Sequence, residues 1–361
     1  VDSKGYTPLM QACCAGHVNC INALLQQPAY VHRQVTAVAS SDTTALMLAA
    51  MKGHVDCVHA LLQHDVAFQL NARDNDGGTA LMHAACKGRA CCVDAMLQHN
   101  ASIQLTAHDS AGRTALMHAA LNSRVDCVDA LLRRDARVQL NARNGSGVTA
   151  LMCAALCGNA DCTEGLLQRD ASAQLAAHDP HGYTALMHAV CNSYFDCVKA
   201  LLRRDASDQL KAHNGTGCTP LMFAALCGCV DCIHALLQQH ASDQLNARDG
   251  EGCTALMYAA GSGDNGACVK ALLQQGASTQ LAASSHDGLT PLHFATQAGH
   301  RDVTRALLAA GADPFVVTDQ APRVLIREII ADVFQEALMP HALQSVIVDF
   351  AGHALAHRAA P

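Results

Sequence analysis

The stretch Thr79-Ala80-Leu81-Met82-His83-Ala84-Ala85 decides the fold, because it occurs in nearly unaltered form nine times along the 361 residues. The copies begin at Thr7, Thr44, Thr79, Thr114, Thr149, Thr184, Thr219, Thr254 and Thr290. The six intervals between Thr44 and Thr254 are 35 residues each, and the outer two are 37 and 36. A fixed period of this size marks an array of supersecondary units, each too small to bury its own apolar face and therefore stacked on its neighbours. The fold question reduces to one repeat.

Within a repeat, threonine precedes a run of helix formers such as Ala115 to Leu121, so its hydroxyl can take up the first free amides. Proline follows at Pro8, Pro220 and Pro291, a position where the missing N–H would have had no intrahelical partner. Glycine ends this helix at Gly16, Gly53, Gly88, Gly158, Gly228 and Gly299. Two repeats carry Asn122-Ser123 and Asn192-Ser193 instead, with asparagine expected in the left-handed conformation. A second helix opens on Asp56, Asp126, Asp161, Asp196, Asp231 or Asp302, acids placed where the helix dipole favours them, and closes on a leucine pair. A glycine two residues ahead of the next threonine (Gly77, Gly112, Gly147) signals a turn.

Helix, tight turn, helix and projecting turn, with Thr290-Pro291-Leu292-His293 and Gly299-His300 written out, resembles the ankyrin repeat over residues 2 to 318. The repeat from Leu289 to Asp313 is nearest the family pattern. The others place methionine at the motif histidine (Met10 to Met257) and cysteine at an isoleucine of the second helix. Most are also two residues longer than the family unit of about 33. The resemblance implies an all-α, ankyrin-type helix-turn-helix repeat solenoid over residues 1–318. It further implies a non-enzymatic protein that binds a partner protein on its concave turn and first-helix surface. The matching positions are Tyr6, Arg113, His181, Tyr183, Glu251 and Leu289 at turn tips, with Met51, Lys52, Lys87, Asn122 and Asn192 on the first helix. Tyr6, Arg113 and Tyr183 stand foremost, since tyrosine and arginine are the usual interface anchors.

Half the chain is hydrophobic but only 3% is aromatic and tryptophan is absent, so small aliphatic packing is expected. A net charge of −7 supplies no field to draw in nucleic acid or anionic lipid. No run approaches the ~18 apolar residues of a membrane span. No nucleophile-base arrangement, phosphate loop or metalloprotease motif is present, so no catalytic residue, cofactor or metal is assigned. Of nineteen cysteines, eight form a column: Cys20, Cys57, Cys92, Cys127, Cys162, Cys197, Cys232 and Cys268. Stacked helices lie about 8–10 Å apart, beyond the ~7 Å a disulfide spans. The expectation is nineteen free thiols, the column acting as small buried hydrophobes in a reducing, cytoplasmic setting. Cys227, Cys229 and Cys232 fall short of a zinc ligand set.

Arg73, His108, Arg143, His178, His213 and Arg248, each followed by Asp or Asn, suggest a ladder of local pairs between turns. His83, His118 and His188 share a position with Cys153, Phe223 and Tyr258, which reads as packing. The two extra residues fall near a recurrent Gln-Leu, from Gln69-Leu70 to Gln280-Leu281, expected to bury each leucine and to bridge neighbouring loops through the amides. Pro28 to Arg33 reads as a loop, and repeats four and five echo six and seven as a duplicated block.

Beyond the array, Leu325, Ile329, Ile330, Val333, Phe334 and Ala337 form one apolar stripe, and Leu343, Val346, Ile347, Phe350, Ala351 and Ala354 form a second. Residues 319–361 are thus expected to be a helical hairpin that caps the last repeat. The same stripes suit an adaptor whose hairpin docks an enzyme complex. A chain that starts at Val1 also suits the regulatory or targeting part of a larger enzyme or channel. A monomer is expected.

Overall fold

The computed structural model describes residues 1–315 except 4, 27, 65, 100, 135, 170, 171, 205, 206, 239, 240, 264 and 265, and beyond them Ile326 and Ile329. The chain is an all-α repeat solenoid in two compact bodies, Val1–Gln209 and Leu210–Pro361. Among the described residues there is no strand, and extended pairing is limited to an isolated bridge between His178 and Thr184.

In the N-terminal body each repeat opens on a first helix, such as Ala80–Lys87, Ala115–Leu121 or Ala150–Leu156. The threonine before it is extended, and its Oγ1 accepts from the amide three residues on, at 3.3 Å for Thr79 and 3.4 Å for Thr114. This satisfies one of the free N–H groups of the helix start. The next residue but two, methionine in eight repeats, is buried each time. Sulfur there can do what imidazole does. Thr44 N–H donates to Met47 Sδ at 3.4 Å, as Thr290 N–H donates to His293 Nδ1 at 3.0 Å.

Glycine closes most first helices with positive φ, +86° at Gly53 and +73° at Gly88. In the two repeats without it the left-handed residue is serine, Ser123 at φ +57° and Ser193 at φ +56°. The asparagine expected there stays at negative φ, Asn122 at −107°. Its Nδ2 instead donates to His118 O at 2.8 Å, covering a helix-terminal carbonyl, and Asn192 does the same to His188 O at 2.9 Å.

The second helices (Val55–Leu62, Ala90–Leu97, Val125–Leu132) carry the cysteine column on the face toward the preceding repeat. Cys127 Sγ lies 4.0 Å from Ala84 O, and Thr163 Oγ1 donates to Cys197 Sγ at 3.7 Å. Burial pushes these thiols up, to about 11 at Cys92 and Cys162 and about 12 at Cys127, as expected of small hydrophobes. Cys20 departs from the column. It is exposed.

The two extra residues build a third helix that the sequence reading lacked. Val66–Asn71, Ala101–Thr106 and Ala136–Asn141 each make a short helical turn after the second helix. The stretch expected as a loop after the first repeat is likewise helical, Pro28–Val35. These turns put leucine under the layer. Leu70, Leu105 and Leu140 are 1–3% exposed. Gln139, 0% exposed, donates from Nε2 to Leu105 O of the preceding repeat and accepts at Oε1 from Leu116 N–H at 3.1 Å. The amide thus joins a neighbour's third helix to a free N–H of its own first helix, rather than loop to loop.

The C-terminal body repeats the plan with Pro220–Leu226 and Val230–Leu237, then Ala255–Gly261 and Gly266–Gln274, then Pro291–Gln297 and Arg301–Ala309. Gln244 Nε2 donates to Leu210 O at 2.6 Å. In the eighth repeat the third helix shrinks to a 3-10 turn, Ala277–Gln280. Leu281 falls just past it and is only half-buried, against the expectation. This body also corrects the thiol count. Cys229 and Cys232 are joined by a disulfide across the first turn of Val230–Leu237, with Cα atoms 5.2 Å apart. The separation of about 8–10 Å holds between cysteines of successive layers, whereas this pair lies within one. The other seventeen cysteines are free.

The capping hairpin lies outside the described residues except for Ile326 and Ile329, both helical and 0% exposed.

Candidate functional site: the turn and first-helix surface

In the repeats that place aspartate or asparagine five residues before the threonine, that residue ties the projecting turn; Ala39, at this place in the second repeat, has no side-chain oxygen to do so. Asp74 Oδ1 accepts from Asp76 N–H at 3.1 Å and Gly78 N–H at 2.7 Å. Asn144 Oδ1 accepts from Ser146 and Val148 N–H, both at 2.9 Å, and Asp249 Oδ1 from Glu251 and Cys253 N–H at 2.9 and 2.8 Å. One side-chain oxygen therefore satisfies two amides of the turn, which aspartate and asparagine do equally well. The second position of the side chain is where they differ. A carboxylate has a second oxygen in need of donors, and the residue four after the threonine supplies one. His83 Nε2 meets Asp74 Oδ2 at 2.6 Å, His118 Nε2 meets Asp109 Oδ2 at 3.0 Å, and Tyr258 OH donates to Asp249 Oδ2 at 2.5 Å. Gln11 Nε2 donates to Asp2 Oδ2 at 3.2 Å. His188 Nε2 stands 3.2 Å from Asp179 Oδ2 without hydrogen-bond alignment.

The histidines are thus half of a pair rather than interchangeable filler. The pattern is complete in the sequence. Acids occur with donors as Asp2/Gln11, Asp74/His83, Asp109/His118, Asp179/His188 and Asp249/Tyr258. Neutral residues occur with non-donors as Ala39/Leu48, Asn144/Cys153, Asn214/Phe223 and Ser285/Phe294. Reading the helix position alone, without its partner nine residues upstream, hid the signal. Burial pushes the His118 and His188 imidazoles below their ordinary range by more than the neighbouring carboxylates lift them. Burial raises the Asp109 carboxyl, but hydrogen bonds from Arg113 and His118 outweigh it and hold the group below the usual carboxylate range.

The basic column does not pair with these acids, contrary to the expected ladder. Arg143 Nη1 donates to Gly147 O at 3.0 Å and to His178 O of the next turn at 2.6 Å, and Arg73 Nη1 donates to Gly77 O and His108 O. In the C-terminal body Arg248 Nη1 donates to Gly252 O at 3.0 Å and Ser284 O at 2.6 Å. The carboxylates are already filled by amides and donors of their own repeat, so the cations bridge carbonyls instead.

Backbone bonds then join tip to tip. Ser110 N–H donates to Asp76 O at 2.9 Å and Gly145 N–H to Ala111 O at 2.8 Å; in the C-terminal body Gly250 N–H donates to Thr216 O at 2.8 Å and His286 N–H to Glu251 O at 2.9 Å. This close approach needs glycine. A Cβ on Gly112, at φ +76°, would sit 2.6 Å from Gly145 N.

On this frame the residues singled out from sequence take the following places. Lys52, Lys87, Asn122, Asn192, His181 and Glu251 are exposed; Met51, Tyr6, Arg113, Tyr183 and Leu289 are half-buried. Arg113 is engaged within its own turn, Nε donating to Asp109 Oδ2 at 2.9 Å. Tyr183 stacks on His188 with ring centroids 5.4 Å apart. Glu251 and Leu289 lie on successive, backbone-bonded tips. Among the described residues, no group of three or more His, Cys, Asp or Glu is placed to hold a metal ion. Nor is any helix among them long and apolar enough to cross a membrane.

Comparison with known families agrees with this geometry. A model described as ankyrin repeats (3 copies) matches residues 31–107, 66–144, 103–177, 137–212, 172–249 and 242–318, and one described as ankyrin repeat matches residues 4–34. No match was found among curated proteins. Such repeats generally serve as protein–protein interaction modules and are typically non-enzymatic. Matched by these repeat models from residue 4 to residue 318, and built of paired helices with turns and left-handed closures that recur in register, the chain belongs to the ankyrin repeat family.

Proposed function

We propose that the chain is a non-enzymatic scaffold that binds a partner protein on the turn tips and the exposed ends of the first helices. One observation carries this reading. The frame of that surface is held by the same bonds repeat after repeat, while the side chains it displays change: Lys52, Lys87, Asn122, Cys157 and Asn192 at one helix position, and Tyr6, Arg113, Val148 and Tyr183 at one tip position. A fixed platform with varied display suits recognition of an extended protein surface. Residues 319–361 cap the array in this reading, a role supported by the complete burial of Ile326 and Ile329. The seventeen free thiols support an intracellular, reducing setting, and the chain acts as a monomer.

Photo-crosslinkers placed singly at Lys87 and Asn122, and for contrast at the exposed Asp126 and Glu164 of the second helices, test the surface. Saturable crosslinks to one protein at the first pair and not the second are expected. The same protein crosslinking only through the second pair would overturn the assignment.

A further inference from the structure

The seventh repeat differs from the others at one position that changes its chemistry. The residue just before the second helix is His54, Arg89, Arg124, Asn159 or Tyr194 elsewhere, and Cys229 here. Three residues on stands Cys232, the member of the cysteine column present in nearly every repeat. Two cysteines therefore bracket the first turn of Val230–Leu237, an eight-residue helix, and the structure joins them. Cys229 Sγ also lies 3.3 Å from Cys232 N–H, in the place of a capping oxygen. Cys229 is half-buried and Cys232 is 0% exposed.

We propose that Cys229 and Cys232 are a reversible dithiol site whose substrates are low-molecular-weight disulfides of the glutathione type. The free amides at the helix start favour a thiolate on Cys229. That thiolate attacks one sulfur of the small disulfide, forming a mixed disulfide and releasing one small thiolate, which takes a proton from water. Cys232 then gives its proton to solvent and attacks Cys229 Sγ, releasing the second small thiol. The protein loses two protons and two electrons, and the small disulfide gains them. The remaining column has no such partner: Cys92, Cys127 and Cys162 are buried and held as thiols. Cys227, two residues before the pair, is exposed but sits at the C-terminal end of Pro220–Leu226, where the helix dipole opposes a thiolate. This inference is independent of the partner-binding reading.

The test uses the full chain, reduced and then equilibrated in glutathione buffers of rising disulfide fraction. Acid quenching, alkylation and mass spectrometry of the peptide holding Cys227 to Cys232 give the readout. An intramolecular bond between Cys229 and Cys232 is expected at a disulfide fraction about tenfold below that at which exposed Cys20 and Cys91 become glutathionylated. Cys229→Ser, which keeps a capping oxygen, should abolish the bond and leave Cys232 alkylatable in the unfolded peptide. Cys227→Ser should leave the bond unchanged. Both cysteines staying free where Cys20 is already modified would overturn the proposal. A mixed disulfide on Cys229 that Cys232 never resolves, or loss of the bond in Cys227→Ser, would do the same. The wild-type measurement stands whether or not a variant folds.

Discussion

Repeats four and five share a backbone plan and solve one electrostatic problem in two ways. In both, a side-chain oxygen ties the turn, from Asp109 to Ala111 and Arg113 N–H in one and from Asn144 to Ser146 and Val148 N–H in the other. Asp109 then carries a charge that is 6% exposed and needs Arg113 and His118 to satisfy it. Asn144 carries none, and the corresponding helix position is the buried thiol Cys153, pushed up to about 12. A buried charge obliges its neighbours, whereas a neutral amide leaves them free. Repeats six and seven show the same alternation, Asp179 with His188 and then Asn214 with Phe223, as the duplicated block implies.

What the two repeats share should cost most to break. Leu140→Ala in the fourth and Leu175→Ala in the fifth remove leucines that are 2% and 7% exposed, and each is expected to lower unfolding free energy by about 2–5 kcal/mol in urea titrations. A near wild-type midpoint for Leu140→Ala would reduce the third helices to decoration. Next comes Gln139→Ala, which strands Leu105 O and Leu116 N–H without partners and should cost about 2 kcal/mol or more. The isosteric Gln139→Met should rescue little, since the loss is of bonds and not of volume.

The difference between the repeats is sharpened by a double-mutant cycle in the third, where no arginine shares the carboxylate. Asp74→Asn and His83→Phe are each expected to destabilise alone. Together they recreate the Asn214/Phe223 pairing and should recover about 1 kcal/mol of the summed loss. Strict additivity would mean the pairing is coincidental. The smallest effect is on pH dependence. Folding depresses the imidazoles of His118 and His188 below 6.5, so their contribution is complete above that value. As pH falls below 6.5 the unfolded chain takes up protons that the folded chain resists, and stability declines until the folded-state pKa is passed. Thermal melts between pH 7.5 and 5 should therefore slope downward (pH range chosen to span roughly one unit either side of the imidazole range), and less so in a chain carrying His118→Phe with Asp109→Asn. An equal slope in both would remove histidine from the explanation.

The period, the threonine caps, the acids of the second helices and the burial of the cysteine and leucine columns, Cys20 and Leu281 apart, were legible from residue types, because each depends on contacts within a few residues or on register alone. The pairing of Asp74 with His83 was also present in the sequence, but it required comparing two columns nine residues apart rather than each by itself. Other features were decided only in three dimensions. Serine and not asparagine is left-handed at the end of the first helix in repeats four and six, because Asn122 and Asn192 reach back to a carbonyl and leave the next residue to reverse the chain. Arg73 bridges carbonyls because Asp74, the acid expected to hold it, is already saturated by its own turn and His83. The extra residues become a helix because only a helical turn both buries Leu140 and aims Gln139 at two backbone groups from different repeats. Local chemistry fixes what each residue can bond, while competition among those bonds is settled only once neighbouring repeats are stacked.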